Sequence, residues 1–188
     1  GINGITGFYS LVVLLSILVL NYSFNLIDYQ ILVFGILGIV VFGFFNFRKQ
    51  AIFFAGDIGS ISIGVFITFL LLLFSFILNT PLPFMFITVY LVDGGVTIIS
   101  RLLKKENILK PHKSHLYQNL VHIKSVNHLT VAGGYAITQI LVNTIVLLVI
   151  HENLSLQLLT AVPLILLLIS VHIFLNKKMK LNIKEQNT

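Results

Sequence analysis

The twelve lysine and arginine residues of this chain fall in three short groups, which long apolar stretches separate. Hydrophobic residues make up 57% of the 188 residues and charged residues only 10%, whereas about a quarter of the residues of a soluble domain are charged. So few charges cannot cover a surface that faces water. The chain is therefore predicted to be an integral membrane protein. The three basic groups cover residues 48–49, 101–124 and 177–184.

The apolar stretches contain six runs long enough to cross the hydrocarbon core, which takes about 20 helical residues. Helices are expected, because lipid offers backbone groups no partner outside their own segment. The expected fold is all-α, a polytopic membrane protein of about six transmembrane helices with a cytoplasmic basic loop. The uncharged or nearly uncharged runs are 1–27, 29–47, 58–78, 82–99, 129–150 and 154–173.

The connectors between six spans alternate between two sides, and the basic residues all lie on one of them. Since loops rich in Lys and Arg stay in the cytoplasm, that side is predicted to be cytoplasmic. The prediction is a single membrane domain over 1–188, with cytoplasmic loops 46–58 and 100–128 and a cytoplasmic tail 174–188. The opposite connectors, which contain no Lys or Arg, are 21–30, 79–81 and 151–154.

The net charge of +6 lies beside apolar runs, without the interleaved aromatic residues of an RNA-binding face. The expected partners are therefore the lipid bilayer and anionic substrates, and not nucleic acid. The chain contains no cysteine, which excludes disulfides and thiolate metal sites.

Asp57 belongs to a polar cluster, residues 53–60, where a basic loop enters the third span. One interpretation is structural: an aspartate that caps the helix between flexible glycines. The other is functional: a carboxylate at the mouth of a membrane domain that holds Mg²⁺ while nearby backbone amides approach a phosphate. The residues alone leave both open.

A second polar cluster occupies residues 110–118. If Pro111 opens a helix there, His112 and His115 are three residues apart and lie on one face. Together with Lys113 they could donate hydrogen bonds to a diphosphate. A zinc site needs three or four ligands, and the spacing of further histidines in this loop fits no compact pattern. The alternative is a solvated basic loop that touches lipid headgroups.

Asp93 is a carboxylate inside the fourth span, where an unpaired charge is costly. It precedes Arg101 by eight residues, too far for a pair within one helical turn. Either a structural pair on a neighbouring helix or contact with a substrate would account for it. His172, near the end of the last span, is expected to be an ordinary interfacial residue. Asn3 lies in a glycine-rich opening turn.

These clusters, in this order, resemble the polyprenyl-phosphate N-acetylhexosamine-1-phosphate transferases, glycosyltransferase family 4. The opening GINGITG resembles the family's Asp-Gly-x-Asp/Asn-Gly segment, cut just after its first Asp. Residues 54–60 resemble its Phe-x-Gly-Asp-x-Gly-Ser motif. Residues 101–103 followed by 111–118 resemble the basic loop of the O-antigen and exopolysaccharide branch, and Asp93 lies where such sequences often carry an Asp before that loop.

The resemblance implies transfer of N-acetylhexosamine-1-phosphate from a UDP-sugar to polyprenyl (undecaprenyl) phosphate, with release of UMP, as the first membrane step of cell-surface polysaccharide synthesis. It implies Mg²⁺ as cofactor, with Asp57 as its ligand, and catalytic roles for Asp57, His112 and His115. Asp93 is a further candidate. The substrate-binding positions that it implies are Asn3, Gly56, Gly59, Ser60, Arg101 and Lys113.

Two family features have no counterpart in these 188 residues. The His-His-His-x-Glu pattern of the peptidoglycan branch is absent, which favours a plain UDP-N-acetyl sugar over the pentapeptide substrate. The paired acidic residues of an earlier cytoplasmic loop are also absent, so the chain is expected to be the C-terminal part of a longer enzyme and inactive alone. The resemblance further implies the bacterial inner membrane, with the active site on its cytoplasmic face, and leaves a homodimer open.

Two other classes of function remain alternatives. A small membrane transporter or channel would place polar residues along a path through the spans, where Asp93 is the main candidate. A non-enzymatic membrane subunit would explain the spans but would leave the ordered polar clusters as coincidence.

Overall fold

The structure, a computed structural model, describes residues 2–110 and 112–186. Within that part the chain forms seven α-helices and one short 3-10 helix, which begins the fourth span. The α-helices are α1 Ile5–Phe24, α2 Tyr29–Asn46, α3 Gly56–Leu78, α4 Thr88–Leu103, α5 Leu116–His122, α6 His128–Val149 and α7 Leu154–Gln186, and the 3-10 helix is Leu82–Ile87.

Six helical segments are long and apolar enough to cross a membrane, and each coincides with one of the six predicted runs. The all-α membrane fold is therefore confirmed. The predicted loop 46–58 is shorter than expected, because α2 ends at Asn46 and α3 begins at Gly56. The segment between α4 and α6 contains the short helix α5. Helix α7 continues to Gln186, so most of the predicted tail is helical.

Helix α1 lies at the centre of the bundle. In its most hydrophobic window 61% of the residues are buried, against 11% for α7. Val13, Ile17 and Leu20 are completely or almost completely buried, at spacings of four and three residues that place them on one face. Helices α2 and α6 pack against α1. The apolar side chains that α7 exposes are typical of a helix that faces lipid.

The fourth span does not start as an α-helix, and side chains from two other helices satisfy its irregular backbone. Gln139 of α6 donates a 2.9 Å hydrogen bond to the carbonyl oxygen of Met85 and accepts one of 3.0 Å from the amide of Val89. The hydroxyl of Tyr9 on α1 accepts a 3.2 Å hydrogen bond from the amide of Tyr90. Irregular backbone at membrane depth is tolerated where protein groups pair with it in this way.

Candidate functional site at the basic end of the bundle

Asn3 forms hydrogen bonds that connect three parts of the chain, at the end of the bundle where the basic loops lie. Its side chain is buried, and Nδ2 donates hydrogen bonds to the carbonyl oxygens of Arg48, at 3.2 Å, and Lys49, at 3.1 Å. Its backbone amide donates to Nδ1 of His128 at 3.3 Å. The start of α1, the loop after α2 and the start of α6 therefore meet at this residue. Asn3, which the family resemblance implies as a substrate-binding residue, therefore holds the backbone of the loop after α2.

Asn46 completes this junction, and sequence reasoning did not single it out. Its Oδ1 accepts a 2.8 Å hydrogen bond from the amide of Gly4, and its Nδ2 donates one of 2.8 Å to the carbonyl oxygen of Phe53. The side chain is almost fully buried. The sequence feature that could have indicated Asn46 is a lone amide side chain at the end of an apolar run, just before the basic pair 48–49.

Asp57 lies in the first turn of α3 and is exposed to solvent. The capping interpretation is wrong, because Ala55 occupies the cap position and Asp57 is already helical. Gly56 has a φ of +59°, a left-handed conformation that glycine adopts without strain. A carboxylate is favourable beside the positive end of a helix.

Gly59 and Ser60 help to build this helix start. The amide of Gly59 donates a 3.0 Å hydrogen bond to the carbonyl oxygen of Ala55, which closes the first turn. The hydroxyl of Ser60 donates to the backbone carbonyl oxygen of Asp57 at 3.2 Å. The amides that precede Gly59 have no acceptor within the helix, as at any helix start, and they lie next to the exposed carboxylate. This end of α3 can therefore bind a cation and an anion side by side.

The oxygen and nitrogen donors of the described residues suit Mg²⁺ better than zinc. Among residues 2–110 and 112–179, whose side chains the structure describes, no three His, Asp or Glu side chains are grouped closely enough to hold a metal ion together. Mg²⁺ commonly takes one or two protein carboxylates and completes its octahedron with water and substrate phosphate. One exposed carboxylate at Asp57 suits that chemistry, whereas the described residues do not form the three-ligand or four-ligand site that zinc requires.

Asp93 is the centre of a second cluster, in which five side-chain or backbone groups surround a carboxylate with 3% exposure. Tyr135 donates to Oδ2 at 2.7 Å. Oδ1 accepts from the amide of Leu116 at 2.9 Å and lies 3.1 Å from Nε2 of His172 and 3.5 Å from Nδ1 of His115. The fifth group is a threonine hydroxyl one turn along α4, at 3.4 Å. Asp93 is thus paired inside the bundle, with histidine and tyrosine partners.

The structure contradicts the expectation for His172. Its side chain is buried and contacts Asp93, so it is part of the bundle interior and not an interfacial residue. The reason is the position of α7, which brings the last turns of its apolar part against α4 and α5. Neither the composition nor the spacing around His172 indicates which helix lies beside it.

His112 and His115 are adjacent, with ring centroids 5.0 Å apart, but a helical face does not bring them together. Helix α5 begins at Leu116, after both histidines, so the predicted helix over them is wrong. Its predicted first residue, Pro111, lies outside the described residues. Partial burial, followed by the positive charge of Arg101, lowers the pKa of His112 below its usual value. Lys113, between the two histidines, is exposed.

Arg101 organises the loop that carries these histidines. Its buried guanidinium donates to Oε2 of Glu106 at 3.1 Å and to the carbonyl oxygens of Asn107, at 2.7 Å, and Lys110, at 3.4 Å. The planar fork of arginine suits several acceptors at once. Arg101 therefore contributes a fixed positive charge beneath the loop, while its donors are engaged within it.

A cleft of 280 Å³ separates Lys49 from the segment 121–128. It lies beside the contact between Asn3 and His128. Helix α6 links this region to the Asp93 cluster, because His128 and Tyr135 are seven residues, or about 10 Å, apart along its axis. The turn that contains Asn3 and the cluster around Asp93 therefore lie at the same end of the bundle. They belong to separate hydrogen-bond clusters.

Comparison with known protein families gives one match. Residues 1–75 match the glycosyl transferase family 4 model. This match supports the resemblance to that family. It covers Asn3 and the segment around Asp57, and supports a membrane glycosyl-phosphate transferase in general. It ends before Asp93 and the histidine loop. Neither the curated proteins nor the solved structures gave a match.

Proposed function

We propose that this protein transfers N-acetylhexosamine-1-phosphate from a UDP-N-acetyl sugar to polyprenyl phosphate, with release of UMP, at the cytoplasmic face of the bacterial inner membrane. The observation that carries the proposal is the position of Asp57. It lies within the family match and is exposed in the first turn of α3, at the end of the bundle that bears the basic loops.

Both proposed substrates are polyanions, so the protein's main tasks are to position them and to neutralise their charge. An oxygen of the lipid phosphate forms a bond to the phosphorus that bears the sugar. The bond from that phosphorus to the bridging oxygen breaks, and UMP leaves with that oxygen. Mg²⁺ supplies charge neutralisation on the diphosphate when it is bound.

The residues of this chain divide these tasks between them. Asp57 would hold the metal, and the first-turn amides of α3 would approach a phosphate. His112 and His115 would donate hydrogen bonds to the diphosphate. Lys113 would add positive charge. Asn3 would keep the neighbouring loops in place through its hydrogen bonds to their backbone.

An apolar groove offers a place for the lipid tail. It has a volume of 420 Å³ and lies between the fourth span and α7. Val92, the neighbour of Asp93, and Ala161 of α7 are among its lining residues. A polyprenyl chain in this groove would run along the bundle toward the basic end.

The experiment that tests the proposal measures UMP release from UDP-N-acetylglucosamine and undecaprenyl phosphate, with and without Mg²⁺. The protein is expressed with whatever sequence its gene places before Gly1. Asp57→Asn should abolish Mg²⁺-dependent turnover with little loss of expression. Asp28→Asn is the matched control, because Asp28 caps α2 at the opposite end of the bundle and asparagine caps equally well.

The outcomes separate the functions under consideration. Turnover in Asp57→Asn equal to that of the unaltered protein would contradict the role of Asp57. If the unaltered protein is inactive with this donor, a panel of UDP-sugars follows. Failure of the whole panel would favour a transporter or a non-enzymatic subunit. Loss of UMP release in His115→Ala, with folding retained, would favour the enzyme over both.

A further inference from the structure

We propose that Asp93 is a positioning residue for His115, which it holds with the ring proton on Nδ1, so that Nε2 is the nitrogen available to substrate. This inference rests on the proposed function only in giving His115 a substrate to meet. The state of the ring itself follows from contacts within the bundle.

The other histidine on this carboxylate, His172, is engaged within the bundle. Asn119 Nδ2 donates to Oδ1 of Asn176 at 3.0 Å, which orients the Asn176 amide. Nδ2 of Asn176 lies 3.3 Å from Nδ1 and 3.4 Å from Nε2 of His172. Since Nε2 lies 3.1 Å from Oδ1 of Asp93, it carries the proton and Nδ1 accepts from the amide. Both ring nitrogens of His172 therefore have polar partners within the bundle.

Two groups compete for Nδ1 of His115. The carboxylate of Asp93 lies 3.5 Å away and requires a proton on that nitrogen. The backbone amide of Gln118 faces the same side chain in a capping-box arrangement, and a donor in that position favours a ring nitrogen without a proton. A hydrogen bond to an ionised partner is about twice as strong as a neutral one. The 3.5 Å separation is at the upper limit for a hydrogen bond, so the negative charge of the carboxylate, and not a short contact, favours the proton on Nδ1. The carboxylate therefore decides the tautomer.

Two further hydrogen bonds keep Asp93 beside His115. Tyr135 holds Oδ2 at 2.7 Å, and the amide of Leu116 holds Oδ1 at 2.9 Å. The second of these bonds also fixes the backbone directly after His115. The side chain of Asp93 is 4% exposed, whereas that of His115 is 26% exposed. A buried, immobile carboxylate thus lies under a partly exposed ring, and the ring's remaining nitrogen is Nε2.

The first test reads the tautomer directly and needs no activity. The chain is labelled with ¹⁵N-histidine, reconstituted in lipid nanodiscs and studied by NMR above the ordinary histidine pKa of about 6.5. His115→Gln assigns the ring signals. We expect the Nδ1–H tautomer in the unaltered chain and a change to Nε2–H in Asp93→Asn or Asp93→Ala. An Nε2–H tautomer in the unaltered chain would overturn the proposal, even if neither variant folds.

The second test asks whether Asp93 acts on turnover through His115. In the enzyme assay, Asp93→Asn should lower kcat about tenfold to a hundredfold, as when a group that orients a metal-binding histidine is removed. In a His115→Ala background the same substitution should have little further effect. Additive losses would overturn the proposal, because they would mean that Asp93 supports the fold and not the ring.

A matched control leaves the Asp93 cluster intact. Thr144→Val removes a hydroxyl that is exposed and bonds only within its own helix, and it should change neither kcat nor the tautomer. A change of tautomer in this variant would contradict the proposal. If the unaltered enzyme shows no transferase activity but the ring behaves as expected, the proposed function fails and the inference about the ring stands.

Discussion

The hydroxyl of Tyr135 donates a 2.7 Å hydrogen bond to Oδ2 of Asp93, across the interface between α6 and α4. Both side chains are buried. A carboxylate inside a membrane bundle is costly without partners, and the tyrosine hydroxyl is its shortest contact. The bond therefore stabilises the packing of the two helices at the basic end of the bundle.

Replacement of Tyr135 by phenylalanine should destabilise the folded protein by about 1–2 kcal/mol, because a buried acceptor loses its partner within a bundle that excludes water. Thermal unfolding in detergent measures the effect. Tyr22→Phe is the control, since Tyr22 is almost fully exposed at the opposite end of α1. Equal unfolding temperatures for the two variants would contradict the prediction.

Gln139→Leu should destabilise the fold more than Tyr135→Phe. Gln139 bonds the hydroxyl of Tyr9, the amide of Val89 and the carbonyl oxygen of Met85, so leucine leaves several buried groups without partners, at about 1–3 kcal/mol for each group. Unfolding by denaturant measures the loss. Thr144→Val is the control on the same helix, because Thr144 is exposed and bonds only within its own turn. Similar midpoints for the two variants would exclude this role.

The six spans and their ends could be predicted because apolar length and basic loops report them directly. Which helix lies in the centre could not. Helices α1 and α7 are both apolar all round. In the most apolar stretch of α1, however, 61% of the residues are buried, against 11% in that of α7. Lipid tails are as apolar as a protein core, so no polar face distinguishes a central helix from one that faces lipid.

The same limit explains what was missed in the candidate site. Asp57 could be proposed as a candidate from the sequence because it belongs to a local motif at the start of a span. His172 acquires its role from Asp93, a residue 79 positions away, and Asn46 from the turn that precedes α1. Such contacts depend on which helices are neighbours. A lone polar side chain in an apolar run indicates that a partner exists, but not where it lies.

His112 should titrate below the ordinary histidine pKa of about 6.5, since partial burial and the charge of Arg101 both disfavour its protonated form. The unfolded chain therefore binds the proton more readily than the folded chain. The contribution of His112 to the free energy of unfolding is lost as the pH falls from about 6.5 through the lower pKa of the folded state. NMR titration of ¹⁵N-labelled histidine measures the midpoint. His112→Gln assigns the signal and removes this part of the pH dependence. A midpoint at or above that of the denatured chain would contradict the prediction.

Arg101→Lys should loosen the loop between α4 and α5 although it keeps the charge. Lysine cannot reproduce the fork that joins Glu106 to the backbone of Asn107 and Lys110. A loss of about 1.4 kcal/mol would raise the open population of the loop tenfold. Limited proteolysis with trypsin measures this as faster cleavage within 104–110. Lys104→Arg keeps the cleavage site and serves as the control; equal rates for the two variants would exclude the organising role of Arg101.

The cytoplasmic assignment of the basic end can be tested without interference, because the chain contains no cysteine. Single cysteines replace Lys104 and Glu152, which are both exposed and lie on opposite connectors. A membrane-impermeant thiol reagent should label Glu152→Cys in intact cells and Lys104→Cys only in inverted vesicles, since positive loops stay inside. Phe69→Cys, in the lipid-facing part of α3, should react in neither, because a thiol in apolar surroundings does not ionise readily. Labelling of Lys104→Cys in intact cells would reverse the topology and move the proposed site to the opposite face of the membrane.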